Sequence, residues 1–293
     1  MKKLPAPTQN DVRHLMNLSN NDNLTTVNPL LRSNQAALRT QYTCYEQSFG
    51  NAWGLRSNFF GTPLKDVLIY CYENRQNDEL KFITNMRDTH DEICSMCGSK
   101  FPWSIDHVLP KSDFPDWAFF SKNLVPACKC NIRRGQELKG SVQSQARIIH
   151  PYYDDIFGER QISCLITSAN DYRWVNVQVV FLNHTHPDIE SIKFHVEKIV
   201  KRSGLEKFIA RTQWSKIVNK PSLAIRSLYE KGELTLPEVT SLIEKDLRWF
   251  DERTGTKNNW DSIFLHGLLN SPGALRFVTD KHNDYVRHPN LEL

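Results

Sequence analysis

Two close cysteine pairs, Cys94 with Cys97 and Cys128 with Cys130, restrict how the middle of this chain can fold. The run Cys94-Ser95-Met96-Cys97-Gly98 has the spacing of a zinc knuckle, in which both sulfurs reach one metal from a tight turn. Adding Cys128 and Cys130 gives four thiolates, enough to close a tetrahedral structural Zn²⁺ site. Such a site contributes folding energy to a segment too small to build a core of its own. Two other readings stand beside it. A thioredoxin-like redox pair needs a βαβ pattern around it, and none is visible. Two pairs of buried core thiols, each behaving as a small hydrophobe, are the other. Only Lys129 separates the second pair, and residues i and i+2 of an extended segment point the same way, so both sulfurs are expected to reach one metal.

The chain has seven cysteines, and its opening MKKLPAPTQN carries prolines and polar residues where a secretory signal has an apolar stretch. An odd count without an export signal favours reduced thiols, and a cytoplasmic location is expected. No run approaches the ~18 apolar residues of a membrane span, so no membrane partner is expected. With 293 residues, two or three packed units are expected. The net charge of +4 permits an anionic partner without demanding one.

From Gln9 to about Arg87 apolar residues such as Leu64, Val67, Leu68 and Cys71 recur at three- and four-residue steps, predicting helices, one of them starting at Thr62 (N-cap) and Pro63. Between Cys94 and about Gly140 that period is lost. Arg160 to Thr167 and Trp174 to Phe181 read as the two strands of a hairpin. Helices are then expected over Ile189–Arg202, Leu205–Val218, Ser222–Lys231, Pro237–Arg253 and Trp260–Leu269. The fold class is therefore α+β and mainly helical, with a helical region 1–88 opened by a short arm, a cysteine-stapled module 89–150, and a hairpin-plus-helical region 151–293. The glycine spacing of Gly135 to Ser141 imitates a phosphate-binding P-loop, but the required lysine and the preceding strand are missing.

Between the cysteine pairs lies Ile105-Asp106-His107-Val108-Leu109-Pro110. An isolated Asp-His dipeptide is ordinarily a surface carboxylate beside a satisfied imidazole. On a strand the two side chains face opposite sides, so a kink or bulge is expected if both serve one site. The series Cys94-x2-Cys97, Asp106-His107, Pro110-Lys111-Ser112, Asn123-Leu124 and Cys128 to Asn131 resembles the HNH family of nucleases. The resemblance implies a ββα-metal finger in which Asp106 is the acidic metal ligand and His107 the general base. Asn123 is then the asparagine that braces the histidine-bearing loop, and Asn131 supplies a second metal ligand. Cys94, Cys97, Cys128 and Cys130 become the structural Zn²⁺ ligands. Two residues usually separate the second cysteine pair in that family, where this chain has one.

Phosphodiester hydrolysis needs a deprotonated water and a cation facing the charge that develops on the phosphate. A neutral imidazole accepts that proton, and an aspartate with an asparagine amide oxygen suits hard Mg²⁺ or Mn²⁺. Lys100 to Gly140 carries seven basic residues, Lys100, Lys111, Lys122, Lys129, Arg133, Arg134 and Lys139, against four acids. Lys111, Arg133 and Arg134 are the expected phosphate contacts, the arginines projecting from the metal-bearing helix. Pro110 to Trp117, His150-Pro151-Tyr152-Tyr153-Asp154 and the MKKLPAP arm further resemble the nuclease subunit of Septu-type, sometimes retron-associated, anti-phage systems. That likeness implies nucleic acid as substrate, DNA by default with RNA or tRNA open, and an SMC/ABC-like ATPase partner. The competing expectation is a zinc-stabilised adaptor that binds nucleic acid or the ATPase without cutting. His150 to Asp154 reads as a ligand-positioning group or, equally, as a buried structural corner.

Overall fold

The helical period of the first third is realised as α1 (Asp11–Asn20), α2 (Asn28–Gln47), α3 (Pro63–Glu73) and α4 (Lys81–Asp88). The computed structural model describes residues 1–75, 78–88 and 92–289, so the expected boundary at 88/89 abuts residues outside the described ones. α3 starts as expected, with extended Thr62 followed by Pro63, although the Thr62 hydroxyl bonds the Phe59 carbonyl and caps no helical N–H.

Past Cys94 the chain forms β1 (Ser104–His107), a long loop, β2 (Leu124–Ala127) and the short helix α5 (Cys130–Arg134). The two strands pair antiparallel, Asp106 opposite Val125 and His107 opposite Leu124. A second antiparallel pair joins β3 (Ile162–Thr167) to β4 (Asn176–Phe181), the expected hairpin. α6 (Ile189–His195) runs on into a π-helical stretch to Lys201, and α7 (Leu205–Lys207) runs through a second one into α8 (Trp214–Asn219). The final helices are α9 (Leu236–Thr254), α10 (Trp260–Leu269) and α11 (Pro272–Arg287). The protein is thus α+β, with helices predominating around two small antiparallel sheets.

Two expectations fail. Ser222 to Lys231 is not a helix but two single turns, Pro221–Leu223 and Arg226–Leu228, separated by extended Ile225. The buried Asp246 carboxylate of α9 accepts the Ser227 N–H and hydroxyl, and Ile225 is fully buried, so tertiary bonds outbid the i→i−4 ladder there. α11 lies beyond the last helix expected from the sequence. Ser271-Pro272 starts it, and Ala274, Leu275, Val278 and His282 form its buried face.

Two apolar clusters fill the interior. One unites α1 to α4 with β1, β2, Cys94, Cys97 and Cys130, so the cysteine-rich segment shares its core with the N-terminal helices. The other gathers β3, β4 and the C-terminal helices around Trp214, Ile243, Phe264 and Val278. Ile148 belongs to the first and Ile149 to the second, so this short segment is the seam between them. Where α10 crosses β3, a Cβ on Gly267 would lie 2.1 Å from the Cys164 sulfur, so this contact requires glycine.

Candidate functional site

The four cysteines converge. Cys94, Cys97, Cys128 and Cys130 place their sulfurs all within 4.8 Å of one another, with Cys94 to Cys130 at 3.7 Å and Cys97 to Cys128 at 3.5 Å. A tetrahedral zinc with bonds of ~2.3 Å has sulfur–sulfur edges of about 3.8 Å, so the cluster fits the ion. Cys130 keeps its place although only Lys129 separates it from Cys128. The segment is not extended: Lys129 has φ −66° and ψ 8° and turns the chain into α5. The Cys128 N–H meanwhile donates to the Cys94 sulfur at 3.4 Å.

Electrostatics favour a cation here. The Cys130, Cys94 and Cys97 thiols and the Ser99 hydroxyl all turn toward Cys128 and hold its thiol below the ordinary range. Burial pushes Cys94 up, and donation to Cys128 pushes Cys130 up. Four thiols this close and this buried cannot all ionise unless a cation offsets them.

Distant residues fasten the knuckle. His195 of α6 accepts the Ile149 N–H on Nδ1 and donates from Nε2 to the Met96 carbonyl at 2.7 Å. Trp260 donates its indole N–H to Cys97 O and its backbone N–H to Gly98 O. Gly98 sits at φ +80°, where a Cβ would meet the Asn258 carbonyl at 2.3 Å. No sequence pattern pointed to His195 or Trp260, because their partners lie some hundred or more positions away.

β1 carries the Asp-His pair without a bulge. Regular pairing leaves His107 inward, 4% exposed, while Asp106 folds its carboxylate back to accept the His107 N–H at 2.7 Å. Its Oδ1 then lies 3.9 Å from His107 Nδ1. This replaces the kink expected from the sequence. Burial pushes the Asp106 carboxyl up, but the His107 ring and backbone N–H, with the Arg134 charge, outweigh it and hold the pKa below the ordinary value. On its other side His107 Nε2 stands 2.7 Å from the Ala118 carbonyl. A carbonyl only accepts, so Nε2 carries a proton, and Nδ1 is the ring nitrogen that faces Asp106. Tyr72 of α3 packs edge-on against the ring at 4.4 Å and donates its hydroxyl to Ile105 O.

Asn123 is fully buried and uses its whole amide. Oδ1 accepts from the Leu109 N–H and the Tyr45 hydroxyl, and Nδ2 donates to Leu109 O and Trp117 O. It thereby pins both ends of the loop that presents Ala118 to His107. Behind it, His150 accepts the Tyr152 N–H on Nδ1, so Nε2–H faces the Tyr45 oxygen at 3.0 Å. His150 is therefore a buried structural corner, and burial lowers its pKa to about 3. Tyr152 donates to Leu124 O, and Asp154 grips Arg147 through two bonds of 2.7 Å.

Asn131 donates from Nδ2 to His107 O, while its buried Oδ1 has no partner. An amide oxygen left without a partner and a carboxylate are both hard oxygen donors, the kind that Mg²⁺ or Mn²⁺ takes. Of the expected phosphate contacts, Arg134 is placed otherwise than expected. Arg134 does not project: it is 3% exposed and donates to Val108 O and His107 O, because these strand-end carbonyls need donors. Burial brings its pKa down to about 10 despite the attraction of Asp106. Arg133 reaches across to the carbonyls of Arg202 and Ser203. Lys111 pairs with Glu73, Lys122 with Glu46, and Lys100 with Asp261, while Lys139 lies over the Trp53 ring.

Over 228 residues the chain is 36% identical to protein ea31 of Escherichia phage lambda, a match covering 74% of this chain and 76% of ea31. The chain belongs to the ea31 family. No family model and no solved structure matches it. Among the described residues of this ea31-family chain, no helix is long and apolar enough to cross a membrane.

Proposed function

We propose that this ea31-family chain is a metal-dependent HNH endonuclease that hydrolyses phosphodiester bonds, with DNA as the default substrate. The observation that carries the reading is the His107 imidazole, whose Nε2–H is held by Ala118 O and whose Nδ1 faces the Asp106 carboxylate at 3.9 Å. The order β1, β2, α5 around it and the orphaned Asn131 Oδ1 support the same reading. Asp106 and Asn131 would hold Mg²⁺ or Mn²⁺, which when bound offsets charge on the phosphate and the leaving oxygen. His107 Nδ1 takes a proton from water, while Asn123 and Ala118 keep the ring from turning away. Zn²⁺ on the four cysteines is structural and separate. An ATPase partner and an anti-phage role follow from the family resemblance alone; co-purification with an SMC/ABC-like ATPase checks them.

A second reading, a zinc-stabilised adaptor that does not cut, is favoured by one observation: the lysines Lys100, Lys111 and Lys122 around the finger are already ion-paired. The two readings separate when purified protein is incubated with plasmid DNA and total RNA in Mg²⁺ or Mn²⁺. His107→Ala should lower cleavage by about 10²- to 10⁴-fold with zinc content unchanged. An unaltered rate in that variant eliminates the mechanism.

A further inference from the structure

Cations without an acidic partner gather far along the chain from the finger. Two adjoining clefts, of about 380 and 300 Å³, open between the single turns at 221–228 and helices α9 and α11, and they share Tyr229 and Lys231. Lys220 and Lys231 line the first, and Arg226, Lys231 and Lys245 the second. Among the described residues none of these four cations has an ion pair. The acid deepest in the second cleft, Asp246, is spent on the Ser227 N–H and hydroxyl, leaving Glu230 as the exposed acid at the rim.

The cations are interleaved with aromatic faces. The Arg226 guanidinium lies 3.8 Å over the Trp249 ring, Lys220 rides over Tyr285 at 4.5 Å, and Tyr229 stands 62% exposed on the ridge between the clefts. Holding Arg226 against Trp249 reduces the freedom it loses on gripping a ligand. An exposed tyrosine between cations leaves apolar surface in water, a cost that a base stacking on it recovers.

We propose that these two clefts form a track for the phosphodiester backbone of a nucleic acid strand, Lys220, Arg226, Lys231 and Lys245 meeting phosphates and Tyr229 meeting a base. An acidic polypeptide would use the charges but not the aromatic ridge. The track is independent of the nuclease reading, because binding is measured without added divalent ion and no cleavage is required.

The test is fluorescence anisotropy of a labelled single-stranded DNA oligonucleotide, and of its RNA counterpart, titrated with the full-length zinc-loaded protein across a salt series. Replacing all four cations by glutamine should weaken binding roughly tenfold or more and flatten the slope of log K against log salt by about 2.8. Lys231→Gln with Lys245→Gln changes exposed lysines only, leaves packing alone, and should remove about half of that slope. Lys193→Gln with Lys257→Gln, which removes two ion-paired surface cations, should change neither quantity. Unchanged affinity and slope in the Lys231/Lys245 pair would overturn the proposal. So would displacement of the oligonucleotide by polyglutamate as readily as by unlabelled oligonucleotide, which would assign the surface to an acidic protein.

Discussion

Asn123 offers a sharp test of how the site is held together. Replacing it by alanine removes four hydrogen bonds, to Leu109 N–H, Leu109 O, Trp117 O and the Tyr45 hydroxyl, in a place with no exposure to water. At about 1 kcal/mol each the loss is about 4 kcal/mol, before any penalty for the Leu109 N–H left without an acceptor. Asn123→Asp keeps the shape but sets a carboxylate oxygen against the Leu109 and Trp117 carbonyls, so it should cost about 1–3 kcal/mol more. Urea unfolding at neutral pH measures both variants. With a slope of about 3 kcal/mol/M for a chain of this size, the alanine variant should lose roughly 1.3 M in midpoint, and the aspartate variant more. Midpoint shifts below about 0.3 M in both would show that Asn123 is not the brace of the His107 loop, whatever its bonds.

The remaining predictions concern the metal, the buried histidines and the knuckle. Cys130→Ser should abolish the single equivalent of zinc released from denatured protein and unfold residues around α5; retention of the zinc would remove Cys130 from the ligand set. His150, with its folded pKa lowered to about 3, stays neutral while the unfolded chain protonates near 6.5, so its stabilising share is present above 6.5 and declines as pH falls toward 3. His150→Asn should therefore show a shallower loss of stability below pH 6.5, by about 1.4 kcal/mol per pH unit, in urea titrations run beside the parent protein. Parallel pH profiles would contradict this. Gly98→Ala forces a methyl into the Asn258 carbonyl and a side chain onto a left-handed backbone, and should weaken zinc retention against a competing chelator. Equal retention would mean that the contact relaxes at no cost.

The cysteine cluster was legible because its chemistry is local: two short spacings announce ligands whatever surrounds them. The Asp-His pair and Asn123 were singled out by the family resemblance and not by their spacing alone, while α3, α9 and α10 followed from period and end signals. The single turns at 221–228 were not, since Asp246 and the burial of Ile225 decide their course. Arg134 was misplaced because composition reports charge and not direction: the open carbonyls at the end of β1 draw its guanidinium inward.

By itself the sequence determined which atoms are on offer: four thiolates, a carboxylate beside an imidazole, and two asparagine amides at workable spacing. Only the tertiary structure decided how they are set. It folded Asp106 back onto its neighbour, set the Nε2–H of His107 on a carbonyl eleven residues on, and left Asn131 with an unmatched oxygen. It also paired Lys100, Lys111 and Lys122 and, among the described residues, left other cations without an ion pair along two clefts near the C-terminus. The physical reason is range. Ligand spacing and helix period are properties of neighbours in the chain, whereas hydrogen-bond direction, tautomer and ion pairing depend on partners that only folding brings within three or four ångströms.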